Sequence, residues 1–192
     1  MEQKIDMIVN RLPAKTWNRL SVNQAEIKDL TADGWQRPAV TVRYPKDEKP
    51  IVRELTTEQE SSVYKKMEQI RTGMGAEVSR LKPEDATDIC VETVEEGGES
   101  DERRERMRCD EVVLVLDYPD RKNCFQDVKI YARAGESVTV WTVVRSKKDA
   151  EGKAVLRTLL QAEENAKIRL VQVDLLGDRM QLFNDIGVES GE

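Results

Sequence analysis

The side chains able to do chemistry are few, and one type is missing altogether. The chain of 192 residues has three cysteines, Cys90, Cys109 and Cys124, and no histidine. Without imidazole there is no Ser-His-Asp or Cys-His catalysis, no His-ligated zinc and no side chain that titrates near neutrality unperturbed. The cysteines lie 19 and 15 residues apart with no Cys-x-x-Cys pair, which suggests neither a metal site nor a disulfide framework. Cys124 has the most reactive setting, because Arg121 and Lys122 precede it in an expected turn and nearby positive charge favours a thiolate. The plainer reading is an incidental loop cysteine. Cys109 leads into an apolar strand and Cys90 sits between Ile89 and Val91, so both read as small core residues. Phe183-Asn184-Asp185 carries one carboxylate where a calcium loop needs several, and reads as a β-turn. Trp17, Trp35 and Trp141 read as packing anchors. No catalytic residue and no metal ligand is assigned, and any reaction would have to rest on Asp, Glu, Lys, Tyr or Cys.

The elements that would position these residues divide the chain by charge. The net charge is −6, an acidic balance that argues against a nucleic-acid partner. Residues 88–108 hold eight acidic and four basic side chains around Gly97-Gly98. Such a stretch cannot bury enough apolar surface to offset its ordering entropy, so it reads as a charged linker, with an acidic docking site as the alternative. Three regions follow: 1–87 helical and mixed, 88–108 linker or loop, and 109–192 rich in β-branched residues. No apolar run approaches the length of a membrane span, and MEQKIDMIVN lacks the core of a signal peptide. A soluble cytoplasmic protein is expected.

In the first region Thr57-Glu58-Gln59-Glu60 has the form of a capping box, and Val63, Met67, Ile70 and Met74 follow at helical spacing. This predicts a helix ended by Gly73 and Gly75, and a shorter one over Ala76 to Lys82. The Met and Ile stripe reads as a packing face. Ala39 to Tyr44 and Ile51 to Leu55 read as strands paired across Pro45–Pro50.

The second half repeats. Ala162-Glu163-Glu164-Asn165-Ala166 lies 28 residues after Ala134-Gly135-Glu136-Ser137-Val138, and Val112 lies 26 before Val138. A period of 26–28 built from strands and polar turns predicts stacked rungs, with a small antiparallel sandwich as the alternative. Val128, Ile130, Ala132 and Ala134 alternate with polar neighbours, as in a half-buried strand. Ala166, Ile168 and Leu170 alternate likewise, but Val171, Val173 and Leu175 run one residue out of phase, which predicts a bend or bulge near Leu170-Val171. Gly135, Asn165 and Gly177 are the expected turn residues.

Three segments stand in order: Asn10-Arg11-Leu12-Pro13-Ala14-Lys15-Thr16-Trp17-Asn18-Arg19-Leu20-Ser21-Val22-Asn23, Thr72-Gly73-Met74-Gly75, and the run from Ala162 through Leu175-Leu176-Gly177-Asp178 to Phe183-Asn184-Asp185-Ile186-Gly187. Together they resemble the SufB/SufD family of the SUF iron–sulfur cluster assembly system, and most closely its short SufD-like members. The resemblance covers about two thirds of the chain. It implies a mainly β fold with an N-terminal α/β region, leading into the first rungs of a right-handed parallel β-helix. It also implies a scaffold role beside a SufB-type subunit and the SufC ATPase, rather than an enzyme. An iron–sulfur cluster would belong only to the complete assembly complex, with no cofactor bound by this chain alone. The sequence departs from the family pattern in lacking the later rungs, with their cluster-building residues and SufC-docking region, so no functional residue is carried over.

A short stack of rungs is expected to be marginally stable or to self-associate through its open end, because a repeat buries its apolar face only against neighbours. Two other readings compete with the scaffold. One is an inactive truncated paralogue or structural interaction module. The other is a β-helical polysaccharide enzyme, disfavoured by the absence of a signal peptide and of an evident groove motif.

Overall fold

The computed structural model describes residues 4–9, 25–31, 34–45, 50–94 and 110–191. The chain is mainly β. Strands β1 (Lys4–Val9) and β2 (Ala25–Thr31) form an antiparallel pair of their own. Ten further strands make two sheets. They are β3 (Trp35–Gln36), β4 (Ala39–Arg43), β5 (Ile51–Leu55), β6 (Asp88–Glu92), β7 (Asp110–Asp117), β8 (Asn123–Ala132), β9 (Ser137–Arg145), β10 (Glu151–Ala162), β11 (Lys167–Leu175) and β12 (Arg179–Ser190).

Sheet I has the order β11-β9-β7-β4, and sheet II the order β12-β10-β8-β6-β5, with β3 also against β8. From β7 onward the chain alternates between the sheets, and every pairing among these six strands is parallel. Among the described residues neither sheet closes on itself. Alternate residues of β7, β9, β8 and β10 point between the sheets, where Val112, Leu114, Leu116, Val138, Val140, Val128, Ile130, Ala154 and Leu156 share one core with Ile89 and Val91. Complete burial of such side chains contributes about 1.5–3 kcal/mol each, which makes this core the main source of stability.

The repeat is present, but its registers are 28 and 30. Asp110 pairs Val138 and Ala154 pairs Leu182, whereas Ser137 pairs Lys167 and Cys124 pairs Ala154. The expected alignments of Val112 with Val138 and of Ser137 with Asn165 are both two residues short. Matching letters set Gly135 opposite Glu163, but the left-handed turn positions are Gly135 (φ 75) and Asn165 (φ 58). An even slip preserves which face points inward, so the aliphatic ladder was unaffected. The expected bulge near Leu170-Val171 is absent: β11 pairs β9 without interruption from Lys167 to Leu175. Ile168 and Leu170 lie against the core, while Leu175 is 57% exposed on the other face. Ala134 belongs to the turn after β8 and is exposed.

Several expectations for the first half are corrected. Ala39–Arg43 and Ile51–Leu55 are strands, but they do not pair with each other: β4 borders β7 in sheet I and β5 borders β6 in sheet II, both antiparallel. Helix α1 spans only Ser62–Met67, with Ser61 at its N-cap, and Gly75–Leu81 forms a 3₁₀ segment. Thr57 caps nothing. Residues 56–59 make a turn in which the Gln59 amide N–H donates to the Thr56 carbonyl at 2.9 Å and the Thr56 N–H donates to Gln59 Oε1 at 3.0 Å. Residues 88–92 of the expected linker are strand β6, buried except for Glu92; residues 95–109, with Cys109, lie outside the described residues. Within the expected mixed region 1–87, β3, β4 and β5 join the same sheets as the second half.

No helix among the described residues is long and apolar enough to cross a membrane. The outer face of sheet II is covered by residues 60–82. Tyr64 and Met67 pack on Cys90, Tyr131 and Leu159, while Met74, Val78 and Leu81 pack with Trp35 on Phe125 and Val155.

Candidate functional site

Strand β8 is buried on both faces, so its outward residues Asp127 and Lys129 lie in the interior with Arg157 of β10 and Asp88 of β6. A strand places alternate side chains on one face. Arg157 is the direct ladder partner of Asp127, which brings guanidinium and carboxylate side by side. The covering segment contributes Glu60 ahead of α1, Glu68 just after it, Ser79 of the 3₁₀ segment and Lys82.

These side chains form one ionic network. Lys129 Nζ is 2.7 Å from Glu60 Oε1, 2.6 Å from Glu68 Oε1 and 2.9 Å from Asp88 Oδ2. Lys82 Nζ bridges Asp88 Oδ1 at 2.6 Å and Asp127 Oδ2 at 3.3 Å. Arg157 donates a two-pronged pair to Asp127, Nε to Oδ1 at 2.7 Å and NH2 to Oδ2 at 2.6 Å. It also reaches Glu68 Oε2 at 2.8 Å and Ser79 Oγ at 2.9 Å. The Lys129 and Glu60 side chains are fully buried, whereas Glu68 is 31% exposed.

Burial and partners move the titrations of these groups. Desolvation, reinforced by a hydrogen bond with Asp88, raises the Glu60 carboxyl from 4.5 to about 7. Asp88 is lowered: desolvation opposes the shift, but the hydrogen bond from Glu60 and the ammonium groups of Lys129 and Lys82 outweigh it. Glu68 is also lowered, because Arg157 and Lys129 outweigh its partial burial. Lys129 is raised against desolvation by its carboxylates, Asp88 first. Desolvation pushes Asp127 up against the Arg157 fork.

Oxygens of Glu60, Glu68 and Asp88 lie within 4.8 Å of one another, the disposition of a small cation site. The Lys129 ammonium already touches all three, so a metal ion would have to expel a paired charge. The arrangement is a clamp between cover and sheet. Sequence reasoning missed it because Asp127 and Lys129 occupy the polar positions of an alternating strand, which read as solvent-facing, and Arg157 stands in the non-alternating run Ala154 to Leu160. The available signal was the match of Asp127 with Arg157 one repeat apart, opposite charges adjacent on one ladder.

Among the described residues, those singled out from sequence do not assemble. Cys124 is not a loop cysteine: it lies in β8, is fully buried facing the main core, and burial raises its thiol to about 11 with Lys122 opposing weakly. Cys90 is buried on the opposite, covered face, its thiol pushed up to about 12 by desolvation first and Glu60 second. Neither thiol is poised as a thiolate. Trp35 is a packing anchor of the covering cluster. Trp141 lies half-buried on sheet I and donates its Nε1–H to Glu111 Oε1 at 2.8 Å; Trp17 lies outside the described residues.

Phe183-Asn184-Asp185 is part of strand β12 instead of a turn. There the buried Asp185 carboxylate accepts the Met74 backbone N–H at 3.0 Å, and a Cβ on Gly187 would stand 2.8 Å from Ile70 Cγ2 and 2.9 Å from Thr72 Cγ2. No family model matches the chain, and neither any curated protein nor any solved structure does.

Proposed function

We propose that the chain is a non-enzymatic, SufD-like scaffold subunit of SUF-type iron–sulfur cluster assembly, acting in the cytoplasm beside a SufB-type subunit and SufC. On this reading β7–β8, β9–β10 and β11–β12 are the first rungs of a right-handed parallel β-helix, with the segment ahead of them serving as its N-terminal α/β region. One observation carries it. Thr72-Gly73-Met74-Gly75 and Phe183-Asn184-Asp185-Ile186-Gly187, two of the segments that bear the resemblance, are packed against each other through Met74 N–H, Asp185, Thr72 and Gly187 although Met74 and Asp185 are 111 residues apart. Segments joined in three dimensions are more informative than separate short matches.

The chain itself performs no reaction on this proposal and holds no cofactor alone; a cluster belongs to the assembled complex. Its contribution is surface. Ile186 and Val188 are 43% and 65% exposed on β12, the edge strand of sheet II, where a partner subunit or a second copy would continue the stack. Co-expression with SufC and a SufB-type subunit tests the reading. A co-purifying complex that acquires iron and sulfide under anaerobic reconstitution is the expected result. A chain that ignores both partners overturns it.

A second reading, a structural interaction module without assembly activity, is favoured by the cysteines. Cys90 and Cys124 are buried with raised thiols, so neither is placed to accept sulfur. Partner binding without cluster acquisition would select this reading.

A further inference from the structure

The clamp between cover and sheet has unequal numbers of opposite charges. Among the described residues, four carboxylates, Glu60, Glu68, Asp88 and Asp127, meet three cations, Lys82, Lys129 and Arg157. The cover supplies Glu60, Glu68 and Lys82, and the sheet supplies the rest. With every group in its ordinary ionic state, one negative charge is left over in a largely buried site. Among the described residues no donor reaches the enclosed Glu60 Oε2, and Asp88 is the neighbouring carboxyl with which Glu60 interacts. A single proton between the two neutralises the network and gives Glu60 Oε2 a partner.

We propose that residues 60–82 form a proton-held cover over the outer face of sheet II, closed while the Glu60–Asp88 pair carries a proton and loosened when that proton leaves. Every element packed at the site contributes to the balance: Glu60 and Glu68 around α1, Lys82 after the 3₁₀ segment, Asp88 and the Cys90 thiol on β6, Asp127 and Lys129 on β8, and Arg157 on β10. The other carboxylates are held charged by their contacts: Glu68 by Arg157 and Lys129, Asp88 by the hydrogen bond from Glu60 and by Lys129 and Lys82, and Asp127, although burial pushes it up, by both prongs of the Arg157 fork. Glu60, with a pKa near 7, is the group that changes state around neutrality. Deprotonation then leaves a buried charge whose relief is to let water in, and water enters by lifting the cover.

Opening would bare Cys90 along with Tyr131 and Leu159, which lie beneath Tyr64 and Met67. Cys124 faces the core on the other side of the sheet and stays enclosed. The two thiols thus distinguish a lifted cover from global unfolding.

The test uses the full chain with Cys109→Ser, with amide exchange of residues 61–82 and maleimide labelling of Cys90 and Cys124 read by peptide mass spectrometry. Exchange is corrected for the intrinsic pH dependence of the amide. A carboxyl whose pKa rises from 4.5 to about 7 on closure makes protection fall about tenfold between pH 6 and pH 8.5. In Glu60→Gln the profile is flat, and at pH 8.5 Cys90 of the unsubstituted site is labelled well before Cys124. Asp88→Asn removes the same excess charge from the other partner and also flattens the profile, which keeps the test decisive if one variant folds poorly. The same slope in the parent and in whichever variants fold, or equal labelling rates for the two thiols, would overturn the proposal.

Discussion

Replacing Lys129 by Met keeps most of the length of the side chain and removes the ammonium from the centre of the network. Three carboxylates, Glu60, Glu68 and Asp88, lose a partner at 2.6–2.9 Å. Asp88 retains Lys82 and Glu68 retains Arg157, and Glu68 can rehydrate through its exposed side. Glu60 keeps no cation and has a fully buried side chain. Breaking one side of a buried ion pair costs about 3–5 kcal/mol, because the surviving charge is uncompensated. At about 2–4 °C per kcal/mol for a chain of this size, the melting temperature should fall by about 10 °C at pH 7.5. The cost should shrink in acid, since a proton on Glu60 removes the charge that Lys129 had been neutralising. Urea titrations at pH 7.5 and pH 5 measure both numbers. A loss below about 1 kcal/mol at pH 7.5, or one that does not change with pH, would mean that the network is hydrated and that the clamp does not hold the cover.

Further outcomes follow from the same contacts. Stability of the native chain should decline as pH rises from about 4.5 to 7 and then level off, by up to about 3 kcal/mol, because native Glu60 binds a proton that the unfolded chain has released; denaturant midpoints across that range check the sign, and Glu60→Gln should flatten this limb. Leu156→Ala removes a fully buried side chain from the main core and should cost about 2–5 kcal/mol, read by thermal or urea unfolding. Gly177→Ala would put a Cβ 2.3 Å from the Lys147 carbonyl oxygen and 2.7 Å from that of Lys148, both backbone atoms that cannot swing away; a loss of about 1–3 kcal/mol is expected. Asn165→Val at φ 58 should cost about 1–2 kcal/mol while Asn165→Gly is close to neutral, a contrast that chemical denaturation resolves.

The legible part of this fold is the aliphatic ladder. Val128, Ile130, Val138, Val140 and Ile168 alternate with polar residues, and a period of two has one structural meaning. Turn chemistry was harder to read. Gly135 and Asn165 both adopt positive φ for the same geometric reason, but they are different letters, so an alignment by letters slipped two residues. The predicted β4–β5 hairpin failed for a non-local reason. Each strand has a better partner far along the chain, β7 for one and β6 for the other, and sequence proximity does not weigh those partners. At Leu170-Val171 the phase change came from apolar residues on an outward face, which alternation alone cannot distinguish from a bulge.

The network was illegible because each of its residues had a simpler local account. Glu60 completed a capping box on paper, but a buried ammonium 2.7 Å away is a stronger partner than an exposed backbone amide, so the carboxyl turns toward the sheet. Asp127 and Lys129 looked like the wet side of a strand. They are dry because α1 and the 3₁₀ segment lie over them, and where those pieces lie depends on the same charges. Cover and network therefore specify each other: the apolar contacts of Met67, Val78 and Leu81 bring the cover near, and the placement of Lys129 and Arg157 selects its register. A polar residue on a strand can thus be assigned to solvent only after the opposite face of that strand has been shown to have nothing packed on it.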